Sequence, residues 1–338
     1  MIINNPNVIL LSLYIIISFI IFIFLAKISY KLNLVDTPNK RKTHLKPTAY
    51  TGGLALCIAY IFAIYLFNFS SSKLDIIFSI GFLIAIVGII DDKYNLNVGG
   101  KLSLQIIPII YLIVLENFNL NQIGDYDYFK VELGSFSIPF TVMCVIFLIN
   151  AFNYFDGLDG TLSYASISTL CILIFLNISN NNILFLIITI IPILIFLFFN
   201  FSILKVPKLF LGDSGSLLLG FIIAFTIIYF AKENLVHPIL LAFSISIFVF
   251  EFISVNIIRL QNKKAIFTAG QDHLHYILFK KNNSLFVTNA LISVINVIFF
   301  IFGYLSFTIL NPLISLILFN FFFIIYFLLR KNLVRIFN

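Results

Sequence analysis

The chain has 338 residues, 61% of them hydrophobic and only 10% charged, with 21 Lys and Arg against 14 Asp and Glu. Soluble domains carry about 25% charged residues, so a surface this poor in charge cannot be wetted, and a soluble globular or disordered protein is excluded. The mean hydropathy of +1.09 requires most of the chain to face lipid.

Apolar runs long enough to cross a hydrocarbon core of about 30 Å begin with 8–26, 52–69, 75–90 and 102–116. The first exceeds a signal-peptide core, lacks a basic lead and is followed by no small-residue cleavage site, so a retained helix is expected. Segment 117–136 contains Gly124 and the alternating stretch Phe129 to Leu133, which predicts a small hairpin outside the membrane. Further runs follow at 137–152, 161–177, 183–201, 215–230, 237–258, 285–303 and 307–329. Eleven spans are therefore predicted, forming one all-α polytopic membrane domain over residues 1–338. Cys57, Cys144 and Cys171 all fall within apolar runs and read as buried thiols, with neither a disulfide framework nor a metal cluster.

Basic residues fix the orientation. With alternate sides assigned, only Lys73, Lys130 and Lys232 fall opposite the other 18 Lys and Arg. Positive loops stay in the cytoplasm, so the N-terminus is placed outside and the C-terminus inside. An even number of spans would destroy this asymmetry.

The acids are placed sparingly. Asp91, Asp92, Asp156, Asp159 and Asp213 each end an apolar segment on the cytoplasmic side. Any one alone is an ordinary helix-capping acid. Five on one face, beside Asn, Gly and Ser, point to an aqueous cavity. Like charges gathered there repel unless a cation joins them, and oxygen donors suit a hard divalent ion, Mg²⁺ or Mn²⁺. Such an ion on one or two carboxylates plus substrate phosphates is the equipment of phosphoryl chemistry. The same side carries the basic segment Asp36 to Pro47, with His44 inside it, and the Gln271 to His275 loop with two of the four histidines. A His pair at i, i+2 would diverge on a helix, so phosphate contact is at least as plausible as metal binding. Gly52-Gly53 and Gly212 to Ser216 are glycine-rich helix starts whose backbone amides can approach an anion.

In this order the stretches RKTHLKP with GG (41–53), DDKYNLNVGGKL (91–102), NAFNYFDGLDG (150–160), LFLGDSGSLLLGF (209–221) and DHLH (272–275) resemble the polyprenyl-phosphate N-acetylhexosamine-1-phosphate transferases. The resemblance implies an active-site cleft on the cytoplasmic face of a bacterial inner membrane. Its substrates would be undecaprenyl phosphate and a UDP-amino sugar, with Mg²⁺ as cofactor, no nucleic acid, and a homodimer left open. Asp213 matches the principal metal ligand and Asn153 a second. Asp91 and Asp92 match the acidic pair needed for activity, the first proposed to deprotonate the lipid phosphate, and Asp156 is the third candidate catalytic carboxylate. Asn95 and Lys101 match positions that contact the site and the phosphates, Asp159 and Phe210 positions that hold uracil. His273 and His275 fall in the loop contacting the donor phosphates, and Arg259 and His44 are the further basic candidates. Glu251, eight residues before Arg259, takes the place of a family Asp.

Two departures bear on the donor. The family's P-x-P-R before the glycines is replaced by Pro47-Thr48-Ala49-Tyr50-Thr51, and the H-x-H-H ending by Tyr276. The three consecutive histidines of phospho-muramoyl-pentapeptide transferases are missing, which argues against that activity. N-acetylglucosamine is the expected donor sugar, with N-acetylgalactosamine, quinovosamine and fucosamine as alternatives. The product would be the lipid-linked sugar diphosphate that starts a surface polysaccharide such as O-antigen. A transporter, the rival of another class, needs charges at mid-membrane in broken helices, and only Glu251 offers one.

Overall fold

The computed structural model describes residues 5–37, 46–67, 72–176, 179–266 and 270–337. In chain order the elements begin with α1 (Asn5–Lys31), β1 (Val35–Asp36), β2 (Thr48–Ala49), α2 (Gly52–Phe67), α3 (Ser72–Tyr94) and α4 (Val98–Ile110). Next come β3 (Gln122–Asp125), β4 (Lys130–Glu132), α5 (Ser137–Phe155), α6 (Thr161–Phe175), α7 (Asn180–Asn200) and α8 (Gly212–Lys232). The chain continues with α9 (Pro238–Ser244), α10 (Ser246–Gln261), α11 (Leu274–Asn282), α12 (Leu285–Leu305) and α13 (Pro312–Phe337).

Among the described residues, eight helices are long and apolar enough to cross a membrane, and α9 with α10, bent by 71° at their break, make a ninth. The two shorter apolar helices, α2 and α6, occupy the remaining expected segments, 52–69 and 161–177. The protein is thus an all-helical membrane protein, the strands among the described residues being confined to the antiparallel ribbons β1–β2 and β3–β4. The second ribbon is the expected hairpin, closed by a Lys130–Asp125 ion pair at 3.0 Å.

Two compact units share the chain: Met1–Leu112 with Ser179–Ile222, and Ile113–Ile178 with Ile223–Asn338. In the first, α2 packs on α1, α3 and α7. Pro192 inside α7 has no N–H to give the carbonyl one turn back, and in hydrocarbon that oxygen has no water to turn to. The Tyr14 hydroxyl donates to Ile188 O at 3.4 Å, and Tyr60 to Thr189 O at 2.9 Å. Both tyrosines are buried.

In the second unit, α12 packs against α6 and α9, and α10 against α5 and α13. Asn289, Ser293 and Asn296 recur along α12 at helical spacing and stitch it to α6: Thr161 donates to Asn289, Ser293 to Tyr164 O, and Asn296 to Ser168. Asn296 also serves the α9–α10 break. Its amide donates to Ser244 O at 3.0 Å, which also accepts from the Thr169 hydroxyl at 2.9 Å, and its oxygen accepts from Ile247 N at 3.3 Å, so buried side chains serve the backbone on both sides of the bend.

Candidate active site

In the first unit, glycines let three helices meet at the backbone. A Cβ on Gly53 would lie 2.0 Å from Gly215 N, and one on Gly88 2.3 Å from the Ser214 backbone, so the start of α2 and the last turns of α3 press directly on the start of α8. The extended stretch before α8 runs beside the end of β2, with Phe210 N donating to Ala49 O at 2.8 Å. Gly52 N and Gly53 N donate to Phe210 O and Leu211 O at 3.0 and 2.9 Å. At the head of α8, Asp213 N and Ser214 N donate to the two carboxylate oxygens of Asp92 at 2.9 and 3.3 Å. The Gly52 and Gly53 amides are therefore spent on the carbonyls before α8, while the glycine-rich start of α8 meets an anion of the chain itself, the Asp92 carboxylate. Together these bonds seat α8 against α2 and α3, and Asp92 complements the positive end of α8.

This packing brings four charged side chains together. Asp91, buried on the last turn of α3, accepts from Leu96 N at 2.8 Å, and its other oxygen lies 2.6 Å from Lys101 Nζ. The chain reverses through Asn95, whose φ of 50° falls where Asn is tolerated. Asn97 then caps α4 by accepting from Gly100 N at 2.8 Å, which points the first turn of α4, with Lys101, back at the acids. The Lys101 ammonium is also 2.5 Å from Asp213 Oδ2. Two carboxylates share this one ammonium, with Asp92 beside them on the amides of α8, so the cluster carries excess negative charge, and Asp213 is more open than Asp91, with 31% of its side chain exposed against 10%.

Among the described residues, no three His, Cys, Asp or Glu side chains stand arranged around a common metal position. The donors nevertheless fit a hard divalent ion: they are carboxylate oxygens from separate helices, and a cation, the Lys101 ammonium, already sits between two of them. Phe210 is half-buried with the Lys208 ammonium 5.2 Å over its ring.

The second unit carries the remaining motifs. Asp156 ends α5, with its N–H on Asn153 O at 3.2 Å, and Gly160, at φ 79°, starts α6. Asp159 sits in the same short loop, its carbonyl accepting from Asn289 Nδ2 at 2.8 Å. His273 precedes α11 in an extended conformation while His275 lies within it, so the two rings stack with an interplanar angle of 4°. The divergence expected of an i, i+2 pair does not occur because only one of the two is helical. Both are buried, and both ring nitrogens of His275 are enclosed with no hydrogen-bond partner among the described residues. Its ring packs on Gly157, where a Cβ would come within 2.3 Å of Nε2, and the Tyr276 hydroxyl donates to Gly157 O at 2.9 Å.

Burial lowers the His273 imidazole to about 4, despite the opposing pull of Glu251 and Asp272, and holds His275 well below the usual histidine range. Both are neutral at pH 7. Burial would raise the Asp272 carboxyl, but the Arg259 guanidinium outweighs it and holds the group down at about 2. That ion pair is bidentate, at 2.9 and 2.6 Å, and Arg259 gives its remaining nitrogen to Ile266 O at 2.7 Å. Arg259 is buried and engaged with Asp272 and Ile266 O, so it braces the loop from within. His44 lies outside the described residues.

Comparison with known proteins follows the same lines. The profile of glycosyl transferase family 4 matches residues 74–231. The undecaprenyl-phosphate alpha-N-acetylglucosaminyl 1-phosphate transferase of Pasteurella multocida is 30% identical over 273 residues, covering 78% of this chain and 76% of its own. The chain belongs to the polyprenyl-phosphate N-acetylhexosamine-1-phosphate transferase family. The probable undecaprenyl-phosphate N-acetylglucosaminyl 1-phosphate transferase of Bacillus subtilis is 29% identical over 263 residues, 74% of this chain and 71% of its own. The Salmonella typhi enzyme is 26% identical over 268 residues, 77% and 73%. Like other members of this transferase family, the protein is a phosphotransferase of the membrane.

Three side chains of this transferase escaped the sequence reading. Arg330 and Tyr326 of α13 are buried on Glu251, and Tyr276 ties the histidine loop to Gly157. Arg330 had been counted only as a cytoplasmic positive charge. A signal for it existed, since a carboxylate set within an apolar span requires a partner, and Glu251 had none nearby in sequence.

Proposed function

We propose that the protein transfers N-acetylglucosamine-1-phosphate from UDP-N-acetylglucosamine to undecaprenyl phosphate, releasing UMP and starting a cell-surface polysaccharide. The reaction is placed at the cytoplasmic face of a bacterial inner membrane. The chain crosses eleven times, counting α2, α6 and the bent pair, with its N-terminus outside. The observation that carries this reading is the Asp91–Lys101–Asp213 cluster at the ends of three apolar helices, where a lipid phosphate must lie.

In this reading a phosphate oxygen of the polyprenyl phosphate attacks the β-phosphorus of the donor. The bond from that phosphorus to the oxygen it shares with the α-phosphate breaks, and UMP leaves with the electron pair. Asp213 would hold Mg²⁺, with Asn153 the second ligand on the strength of its motif, and the ion would supply charge neutralisation on the diphosphate. Asp91, buried beside Lys101, takes the proton of the lipid phosphate. Lys101 pairs with both acids in the resting protein and meets phosphate oxygens when substrate arrives. Asp92 acts through Asp213 by fixing the head of α8. Asp159 and Phe210 hold uracil, Asn95 lines the entry, and Asp156 ends the helix that carries Asn153. A transporter is disfavoured because its single mid-span candidate, Glu251, is neutralised by Arg330.

The test is to incubate purified protein with undecaprenyl phosphate and a panel of UDP-sugars, including N-acetylgalactosamine and muramoyl-pentapeptide donors, and to weigh the lipid product. A product with UDP-N-acetylglucosamine and UMP release is expected. No lipid product from any donor would refute the reading.

A further inference from the structure

Within the second unit, the loop that carries His273 and His275 is held by groups far away in sequence. Glu251 on α10 is fully buried and accepts four hydrogen bonds. Leu274 N donates at 2.6 Å and the Tyr326 hydroxyl at 2.8 Å. Arg330 Nε and one Arg330 terminal nitrogen donate at 2.9 and 3.1 Å. That same Arg330 nitrogen donates to the carbonyl of Asp272. The fork of one guanidinium thus spans two elements, the carboxylate of α10 and the backbone of the loop.

The histidines themselves do little to hold the loop. His273 makes no side-chain cap to α11, and His273 Nδ1 and both nitrogens of His275 find no hydrogen-bond partner among the described residues. Arg259 fixes the Asp272 side chain, and Arg330 with Glu251 fixes the backbone on either side of His273, at Asp272 O and Leu274 N. Beyond that point Tyr276 and His275 close on Gly157, in the loop between α5 and α6 that carries Asp156 and Asp159.

We propose that Arg330, through Glu251, is a positioning residue for the donor: it sets the backbone of residues 272–274 and so the shape of the clasp that His275 and Tyr276 make with Gly157. This rests on the reading of the 272–276 loop as the donor-handling loop of a UDP-sugar transferase. Arg330 itself touches no substrate.

The informative variant is Arg330→Lys. It keeps a cation beside Glu251, so the buried carboxylate stays compensated, but a single ammonium cannot reproduce a planar fork bonded to Glu251 and to the Asp272 carbonyl at once. Arg330→Ala leaves Glu251 buried and unpaired, and loss of fold there would be uninformative, so it is not used. Tyr326→Phe is the control, removing one hydrogen bond to Glu251 while leaving the bridge to the loop intact. Two measurements are made on full-length protein: amide hydrogen exchange over residues 270–277, and the kinetics of each substrate.

With one backbone hydrogen bond and the fork lost, Arg330→Lys should speed exchange at 270–277 by roughly tenfold and raise the KM for UDP-N-acetylglucosamine by a similar factor, with kcat and the KM for undecaprenyl phosphate close to wild type. Tyr326→Phe should leave both readouts near wild type. Unchanged exchange and KM in Arg330→Lys would overturn the proposal. So would faster exchange with an unchanged donor KM, or an equal effect from Tyr326→Phe. Wild-type protein that neither binds nor consumes UDP-sugar would refute the transferase reading, and the proposal with it, before any variant is compared.

Discussion

Acidification should open the histidine loop before it harms the rest of the molecule. His273 is 7% exposed, and its imidazole is lowered from 6.5 to about 4, chiefly by burial. The unfolded or opened loop therefore binds a proton that the closed loop refuses. The stabilisation is complete above about pH 6.5 and is lost as pH falls through the window from 6.5 to 4. At about 1.4 kcal/mol for each pH unit, the full window amounts to about 3 kcal/mol from His273 alone, an upper figure because partial opening relieves burial gradually. His275 acts in the same direction. Asp272 does not confuse the window, since its carboxyl, held at about 2, costs the closed loop only below its ordinary 3.8. The assay is amide hydrogen exchange at residues 273–277 between pH 7.5 and 4.5, corrected for intrinsic rates. Protection should fall by roughly a hundredfold in the wild type. His273→Gln should keep only the part owed to His275. Equal protection at the two pH values, or an undiminished pH dependence in His273→Gln, would refute the reasoning.

Other outcomes are expected from the same geometry. Asp213→Asn should abolish transfer while thermal stability stays near wild type, and EDTA should stop wild-type turnover until Mg²⁺ or Mn²⁺ is restored; chelator-resistant activity would contradict the metal assignment. Asp92→Ala should lower stability by about 1–2 kcal/mol through loss of the α8 cap, measured by thermal unfolding in detergent, whereas Asp91→Asn should depress kcat with UDP-sugar binding kept. Gly88→Ala should prevent α3 from seating on Ser214 and reduce activity at least tenfold, read by turnover of purified protein; normal activity would show that the contact yields easily. Cysteines placed at Lys130 and Lys264 should label from opposite sides of the membrane, and same-side labelling would overturn the eleven-span topology.

The helical segments were legible because lipid imposes a length and an apolar composition on anything that crosses it. The acids were legible for the related reason that charge near hydrocarbon is costly. Glycine roles were not. Gly53 and Gly88 serve close backbone contact, and a sequence shows only that glycine is present, not whether a ligand or another helix approaches it. The pairings of Arg259 with Asp272 and of Arg330 with Glu251 were not legible, because periodicity cannot show that a cation at a span's end turns inward onto an acid distant in sequence. The stacked histidines escaped because their geometry depends on α11 starting between them.

The bridge from Arg330 also sets an order of assembly. Glu251 enters the membrane with α10, and the histidine loop is made next, but the guanidinium that joins them arrives only with α13. Until that helix is threaded, the newly made protein holds a Glu251 without its cation and a loop without the bridge at Asp272 O. Its acidic cluster in the first unit, complete once Asp213 has been made, is ready well before. An insertion intermediate halted after α12 would thus carry a formed acidic cluster but a histidine loop still lacking its Arg330 bridge, so the last helix to be made completes the loop.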